Sequence, residues 1–357
     1  MLSYQIENFG KPLAQALRQT PTPQGSEVLL RVSACGVCHS DVHLHDGYFL
    51  LGEDQKLDLS RGIAPPRTLG HEIAGTVVAV GPDVQPDVQN NIQSVRIGDQ
   101  RVVFPWIGCG RCSLCSAGNE HLCNAPRNLG VQRDGGFSDH VLVPDARYLL
   151  AYDPLPAEQA CTLACAGVTA YSALKKAAPL SADDTLLIIG AGGVGLSAIR
   201  LCRQLYSQPP VVAEIDKSKW DLAREAGAGD VIDPSDEGAL KALMRSTGGG
   251  VAVAIDFVGA ASTFAFGLSS LRKAGKLVCV GLFGGGTPVM PALVALKAVT
   301  ITGSYVGSLQ EMHELMLLAR SGTLPPLPVS TQPLAAATQV LEDLKGGRIR
   351  GRTVLIP

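Results

Sequence analysis

Cys109, Cys112, Cys115 and Cys123 stand in a Cys-x2-Cys-x2-Cys-x7-Cys run, and no other stretch of the 357 residues limits the fold so sharply. Zinc holds thiolates in a tetrahedron, and three cysteines spaced by two residues wrap one ion from a tight loop. Gly108, Gly110 and Gly118 supply the turning freedom, and Cys123 arrives after the short Asn119–Leu122 stretch. Four protein ligands leave no open coordination position, so such a zinc holds structure and the chemistry lies elsewhere. Disulfides are the alternative. The opening Met1-Leu2-Ser3-Tyr4-Gln5-Ile6-Glu7 lacks the basic and apolar regions of a secretory leader, which disfavours them.

Lys plus Arg number 30 and Asp plus Glu 32, a net charge of −2. That balance argues against nucleic acid or an anionic membrane as the main partner. No run reaches the roughly 18 apolar residues of a membrane span. Ten cysteines point to a reducing compartment with metal-bound or buried thiols, hence to a soluble, cytoplasmic protein.

Up to about residue 150 the pattern is short strands between turns: 28–32, 74–80 and 101–104, with turns at Gly98-Asp99 and Asp134-Gly135-Gly136. It suggests a distorted β-barrel. Segments 157–166 and 170–177 read as helical. From Thr185 strand and helix alternate: strand 186–189, helix 194–205, strand 211–213, then strands 251–257, 276–280 and 299–303. Parallel strands with crossover helices make a doubly wound sheet, so the fold class is α/β with two domains. From Leu309 the chain returns to a helix, loops and a strand at 353–356, expected to rejoin the first domain. Two loops read as surface features: 48–66, which either is a solvated insertion or rims a substrate pocket, and the polar 85–94.

Gly190-Ala191-Gly192-Gly193-Val194-Gly195 fits G-x-G-x-x-G after an apolar strand and before a helix. Gly190 makes the turn, Gly192 lets the backbone approach a pyrophosphate, and Gly195 permits close packing of the helix. The free N–H groups of that helix start, Gly193 and Val194 among them, face the phosphates. Glu214 closes the next strand and is expected to bind the adenosine ribose hydroxyls, which favours NAD over NADP by like-charge repulsion of a 2′-phosphate. Asp216 competes for that role, and Lys217 and Lys219 weaken the repulsion.

Three further segments carry candidate ligands: Cys35-Gly36-Val37-Cys38-His39-Ser40-Asp41-Val42-His43, Gly70-His71-Glu72 and Cys165-Ala166-Gly167-Val168-Thr169. Spacing alone does not join them, and an isolated His71 or Cys165 is more often a packed core residue. Together with the four-cysteine lobe and the glycine loop, however, their order resembles the zinc-containing alcohol dehydrogenases of the medium-chain dehydrogenase/reductase family along the whole chain. Pro105-Trp106 and Gly281-Leu282-Phe283-Gly284 add a likeness to the tetrameric, NAD-dependent prokaryotic and archaeal members.

That resemblance implies a GroES-like catalytic domain over 1–166 and 306–357, with the zinc lobe near 105–125. It implies an NAD-binding Rossmann domain over 167–305, two zinc ions per subunit and a homotetramer. Cys38, His71 and Cys165 are then ligands of a catalytic zinc, Glu72 a fourth or alternating ligand, and Asp41 the carboxylate that orients the ligand histidine. Ser40 is expected to hydrogen-bond the alcohol, and His43 to be the outer base of the proton relay. His39 and Arg352 fall where the family contacts the pyrophosphate, Thr169 near the nicotinamide, Lys219 near the adenosine ribose and Trp106 in the substrate pocket. The implied reaction is reversible oxidation of primary or secondary, including aromatic or cyclic, alcohols to aldehydes or ketones with NAD. A polyol or amino-alcohol dehydrogenase on the same scaffold is the nearest rival. A non-catalytic zinc scaffold would leave Cys38, His71 and Glu72 without purpose, and a zinc-free quinone reductase would lack both ligand sets.

Overall fold

The computed structural model describes residues 1–52, 55–84 and 94–357. Glu53, Asp54 and nearly all of the polar 85–94 stretch lie outside the described residues. Two compact units divide the chain: Met1–Tyr48, Asp58–Val168 and Ser308–Pro357 form one, Phe49–Leu57 and Thr169–Gly307 the other. The sequence reading set the boundaries at 166/167 and 305/306, and it did not assign Phe49–Leu57 to the second unit. That segment belongs to a two-stranded hairpin, Tyr48–Leu50 with Lys56–Asp58, rather than to an unstructured loop.

The first unit is built on a seven-stranded, largely antiparallel sheet. Its central strand, Val28–Gly36, pairs along its length with Glu72–Val80 and at its far end with Arg352–Ile356. The pairs Gly36↔Glu72 and Val354↔Gly36 bring three chain segments to one sheet end. Val28, Leu30, Val32 and Ala34 alternate into the core, as the period-two pattern requires. Immediately after this strand comes the helix His39–Asp46, stopped by Gly47 in the left-handed conformation at φ +82°. The region 157–166, read as one helix, is a helical turn at Ala157–Ala160 followed by a 3-10 segment at Cys161–Ala164; a longer helix, Ala166–Ala177, begins just after Cys165.

The second unit is a six-stranded parallel sheet. Its spatial order is Asp230–Ile232, Val211–Ala213, Leu186–Ile189, Val251–Asp256, Leu271–Cys279, Thr300–Gly303. The order reverses between Leu186–Ile189 and Val251–Asp256, which makes that pair the topological switch point. Both strands are buried throughout, and they are apolar apart from the terminal Asp256, as central strands covered on both faces must be. The Asp230–Ile232 strand escaped sequence reading because three residues with an exposed acid carry too little periodicity. Among the described residues no helix is long and apolar enough to cross a membrane.

Candidate metal and dinucleotide sites

The sheet end of the first unit gathers the three ligand-bearing segments. Cys38 caps the helix that follows the central strand, His71 sits beside the start of the Glu72–Val80 strand, and Cys165 joins the 3-10 segment to the next helix. Their Sγ, imidazole nitrogen and Sγ atoms all lie within 4.8 Å of one another, and all three residues are buried. Cys38 Sγ and Cys165 Sγ are 3.8 Å apart. Two zinc–sulfur bonds of about 2.3 Å at a tetrahedral angle span about 3.8 Å, so the donor pair fits that ion.

Asp41 sets the orientation. Its fully buried carboxylate accepts hydrogen bonds from Cys38 N–H at 2.9 Å, Gly70 N–H at 3.3 Å and His71 Nδ1 at 3.1 Å. With a carboxylate as acceptor, Nδ1 carries the proton and Nε2 presents its lone pair. Nε2 is buried and has no hydrogen-bond partner among the described residues. An orphan acceptor facing two thiols inside a protein is costly unless a cation completes it.

The electrostatics agree. Sharing the Cys165 hydrogen bond, and with His71 alongside, the Cys38 thiol is held well below its ordinary range. Cys165 is pushed well above, first by Cys38 and then by burial. Two buried thiolates in contact do not both ionise without a positive charge between them.

Glu72 lies outside the three-donor set; its carboxylate pairs with the Arg352 guanidinium and accepts the Ala166 N–H at 3.2 Å. Burial pushes this carboxyl up to about 7 even against the Arg352 charge. The reason is electrostatic: a carboxylate with no solvent exposure needs a counter-charge, and Arg352 supplies it. Arg352, expected at a pyrophosphate, is accordingly buried against Glu72. Gly36 leaves room for this pair, since a Cβ there would collide with Glu72 Oε2.

Ser40 and His43 occupy one face of the helix His39–Asp46, three residues apart, with the His39 and His43 ring centroids at 5.7 Å. Burial, then the neighbouring His39, holds His43 below its ordinary range, so it is neutral near pH 7. Trp106 is buried beside the metal ligands, its ring centroid 5.2 Å from that of His71 and its Nε1–H donating to Ala164 O at 3.0 Å.

The four lobe thiols also lie within 4.8 Å of one another. Cys112 Sγ is 3.4 Å from Cys115 Sγ and 3.8 Å from Cys123 Sγ, far beyond a disulfide bond, and all ten cysteines are free. A Cβ on Gly108 would collide with Cys115 Sγ. Sequence reading missed what braces this loop. Glu120, buried, accepts the Gly108 N–H at 3.2 Å and the Tyr148 hydroxyl at 2.7 Å, and pairs with Arg147 at 3.1 Å. An acid placed between Gly118 and Cys123 was the available signal.

In the second unit the glycine loop joins strand Leu186–Ile189 to helix Gly193–Leu205. Gly190 has φ +92°, a Cβ on Gly195 would collide with Gly190 O, and a Cβ on Gly192 would meet nothing within 4 Å. That open side of the loop fits an approaching phosphate. Glu214 accepts the Ala191 N–H at 2.7 Å, so the acid is held against the loop; the competing Asp216 is occupied with Ser218 N–H and Lys219. Lys219 therefore points to an acid within its own turn. The Thr169 hydroxyl is buried without a hydrogen-bond partner among the described residues.

Comparison with known proteins follows this anatomy. A model described as alcohol dehydrogenase GroES-like domain matches residues 24–153, and one described as zinc-binding dehydrogenase matches 193–321. The chain is 36% identical to an NAD-dependent alcohol dehydrogenase of Sulfurisphaera tokodaii and 35% to one of Saccharolobus solfataricus, each over 100% of both chains. It resembles the crystal structure of the alcohol dehydrogenase of Aeropyrum pernix with a TM-score of 0.87 and 30% identity, over 100% of both chains. With likeness running end to end through both units, the chain belongs to the zinc-containing alcohol dehydrogenases of the medium-chain dehydrogenase/reductase family.

Proposed function

We propose that the protein catalyses the reversible oxidation of primary or secondary alcohols to aldehydes or ketones with NAD, using one catalytic and one structural zinc per subunit. The observation that carries this reading is the buried Cys38–His71–Cys165 set with its unpartnered His71 Nε2. Three protein donors leave a fourth position of a tetrahedral ion open for an alcohol, whereas the lobe's four thiols leave none. Zinc held there would supply Lewis acidity toward the alcohol oxygen, and the nicotinamide would accept the hydride that leaves the alcohol's carbon. The chain's own residues do the rest. Asp41 fixes the His71 tautomer, and the two thiolates moderate the charge at the site so that product leaves. Ser40 takes the hydrogen bond of the alcohol, and neutral His43 takes the proton on toward solvent. Glu214 favours NAD by repelling a 2′-phosphate. Trp106 beside His71 favours apolar, aromatic or cyclic alcohols over polyols.

Cysteines that are all free fit a reducing, cytoplasmic setting. For assembly we infer a homotetramer, one of whose interfaces is an edge of the second unit's sheet. Thr300–Gly303, with its exposed Ile301, is an edge strand of the six-stranded sheet, and the segment before it exposes Met290, Leu293 and Leu296. Unpaired edge groups flanked by apolar side chains are suited to a second copy.

A panel of benzyl alcohol, cyclohexanol and short alcohols against sorbitol and threonine, followed by NADH absorbance, is expected to give turnover with the first group. Cys38→Ser or His71→Ala is expected to abolish it while NADH binding stays measurable by fluorescence; full turnover by either variant would reject the mechanism. His43→Ala should slow turnover on the order of ten-fold near about pH 7 and little in alkaline buffer, where hydroxide replaces the lost base. The sign follows from the lowered His43 pKa, which leaves the ring a free base at neutral pH; a loss equal at all pH values contradicts the relay. Light scattering of Ile301→Lys should report a smaller assembly than the parent, and an unchanged mass would remove this edge from the interface.

A further inference from the structure

The parallel sheet carries a second buried acid at its switch point. Asp256 ends the strand Val251–Asp256 directly opposite Ile189, the residue before the glycine loop, and is 1% exposed. Its Oδ1 accepts the N–H groups of Val258 and Gly259, each at 2.9 Å. Its Oδ2 accepts the Thr263 hydroxyl at 2.9 Å, and that hydroxyl accepts the Ala260 N–H at 3.0 Å. Every N–H from Val258 to Ala260 is thus tied, directly or through one hydroxyl, to a single carboxylate.

The backbone carbonyl of Asp256 holds a neighbouring loop as well. It accepts from Val280 N–H at 2.9 Å and Gly281 N–H at 3.0 Å. The two loops are then laced together by Phe283 N–H to Val258 O at 3.2 Å and Gly284 N–H to Gly259 O at 2.9 Å. They approach so closely that a Cβ on Gly259 or on Gly281 would collide with the other loop's backbone. Val258 in turn packs against the glycine loop, its Cγ2 lying 2.6 Å from where a Cβ on Gly190 would stand.

Dinucleotides bind across the switch point, outside the carboxyl ends of the strands. Glu214 ends the strand on one side of Leu186–Ile189, and Asp256 ends the strand on the other. If Glu214 marks the adenosine half, the loops anchored by Asp256 border the nicotinamide half.

We propose that Asp256, with Thr263, is a positioning residue that fixes the 257–260 and 280–284 loops as the wall on which the nicotinamide half of the dinucleotide rests. This rests on the dinucleotide reading of the preceding section. Asp256 need touch neither cofactor nor substrate; its part is to keep backbone groups in place for them, so that ordering these loops costs nothing at binding.

The test is a pair of dissociation constants, for NADH and for AMP, measured calorimetrically on the intact wild-type protein and on variants. Asp256→Ala is expected to weaken NADH about ten-fold and Thr263→Val about three-fold, only part of what the lost charge-assisted hydrogen bonds are worth, because the variants loosen the loops and remove no contact to the cofactor. AMP, which lacks the nicotinamide half, should bind each variant as it binds the wild type, and Thr263→Ser, which keeps the hydroxyl, should restore NADH affinity. Equal weakening of AMP and NADH would show a general loosening of the sheet and overturn the proposal. NADH affinities within two-fold of wild type in both variants would overturn it too. Should Asp256→Ala fail to fold, Thr263→Val decides alone. A wild-type protein that binds neither ligand would instead fail the dinucleotide reading itself.

Discussion

The buried carboxylate of Asp41 is the constraint on which the first unit's site depends. It lies three residues after one ligand and thirty before another, and it accepts from the backbone of the first and the ring of the second. A carboxylate without solvent contact is tolerated only when its oxygens are filled, and here three N–H groups fill them. The same bonds fix the turn after Cys38, the approach of Gly70 and the His71 tautomer together. Disturbing any one of them moves both donors. Partners of this kind typically matter to metal affinity by about 10- to 100-fold.

The protein uses acids repeatedly in this way. Glu72 is matched to Arg352, Glu120 ties Gly108 to Tyr148, Glu214 holds the Ala191 N–H, and Asp256 gathers the turn after its strand. Most of these acceptors take backbone N–H groups next to a glycine or a cysteine whose position matters. The burial that makes each carboxylate expensive also makes its hydrogen bonds strong, so loops that would otherwise fluctuate are held by few contacts. Fold and site are therefore not separate layers: the sheet ends supply the backbone, and the acids register it.

Much of this was legible in the sequence, for local reasons. The glycine loop and the cysteine lobe are short motifs whose spacing encodes their geometry, and the strands at 186–189 and 211–213 were delimited by apolar runs between polar turns. The candidate catalytic set was not legible from residues alone. Cys38 and His71 meet because Val28–Gly36 pairs with Glu72–Val80, and Cys165 joins them because Cys161–Ala164 packs against those strands, long-range contacts that no local pattern encodes; family resemblance supplied the link. The Glu72–Arg352 pair spans 280 residues, too far along the chain for any local pattern to show it. Asp256 was missed although it shows the same signal as Glu214, an acid closing an apolar strand. The turn after Asp256, Phe257-Val258-Gly259-Ala260, carries no G-x-G-x-x-G spacing that would mark it as a dinucleotide loop.

On the proposed reading the two candidate metal sets would divide the work by coordination number. Four thiols would close the lobe around an ion, while two thiols and an imidazole would leave a position for chemistry. The claim is most directly tested by counting zinc in the purified protein by elemental analysis, beside His71→Ala. The account predicts about two ions per subunit in the parent and about one in the variant, the lobe ion remaining. A parent holding a single ion, or a variant that keeps both, would contradict it.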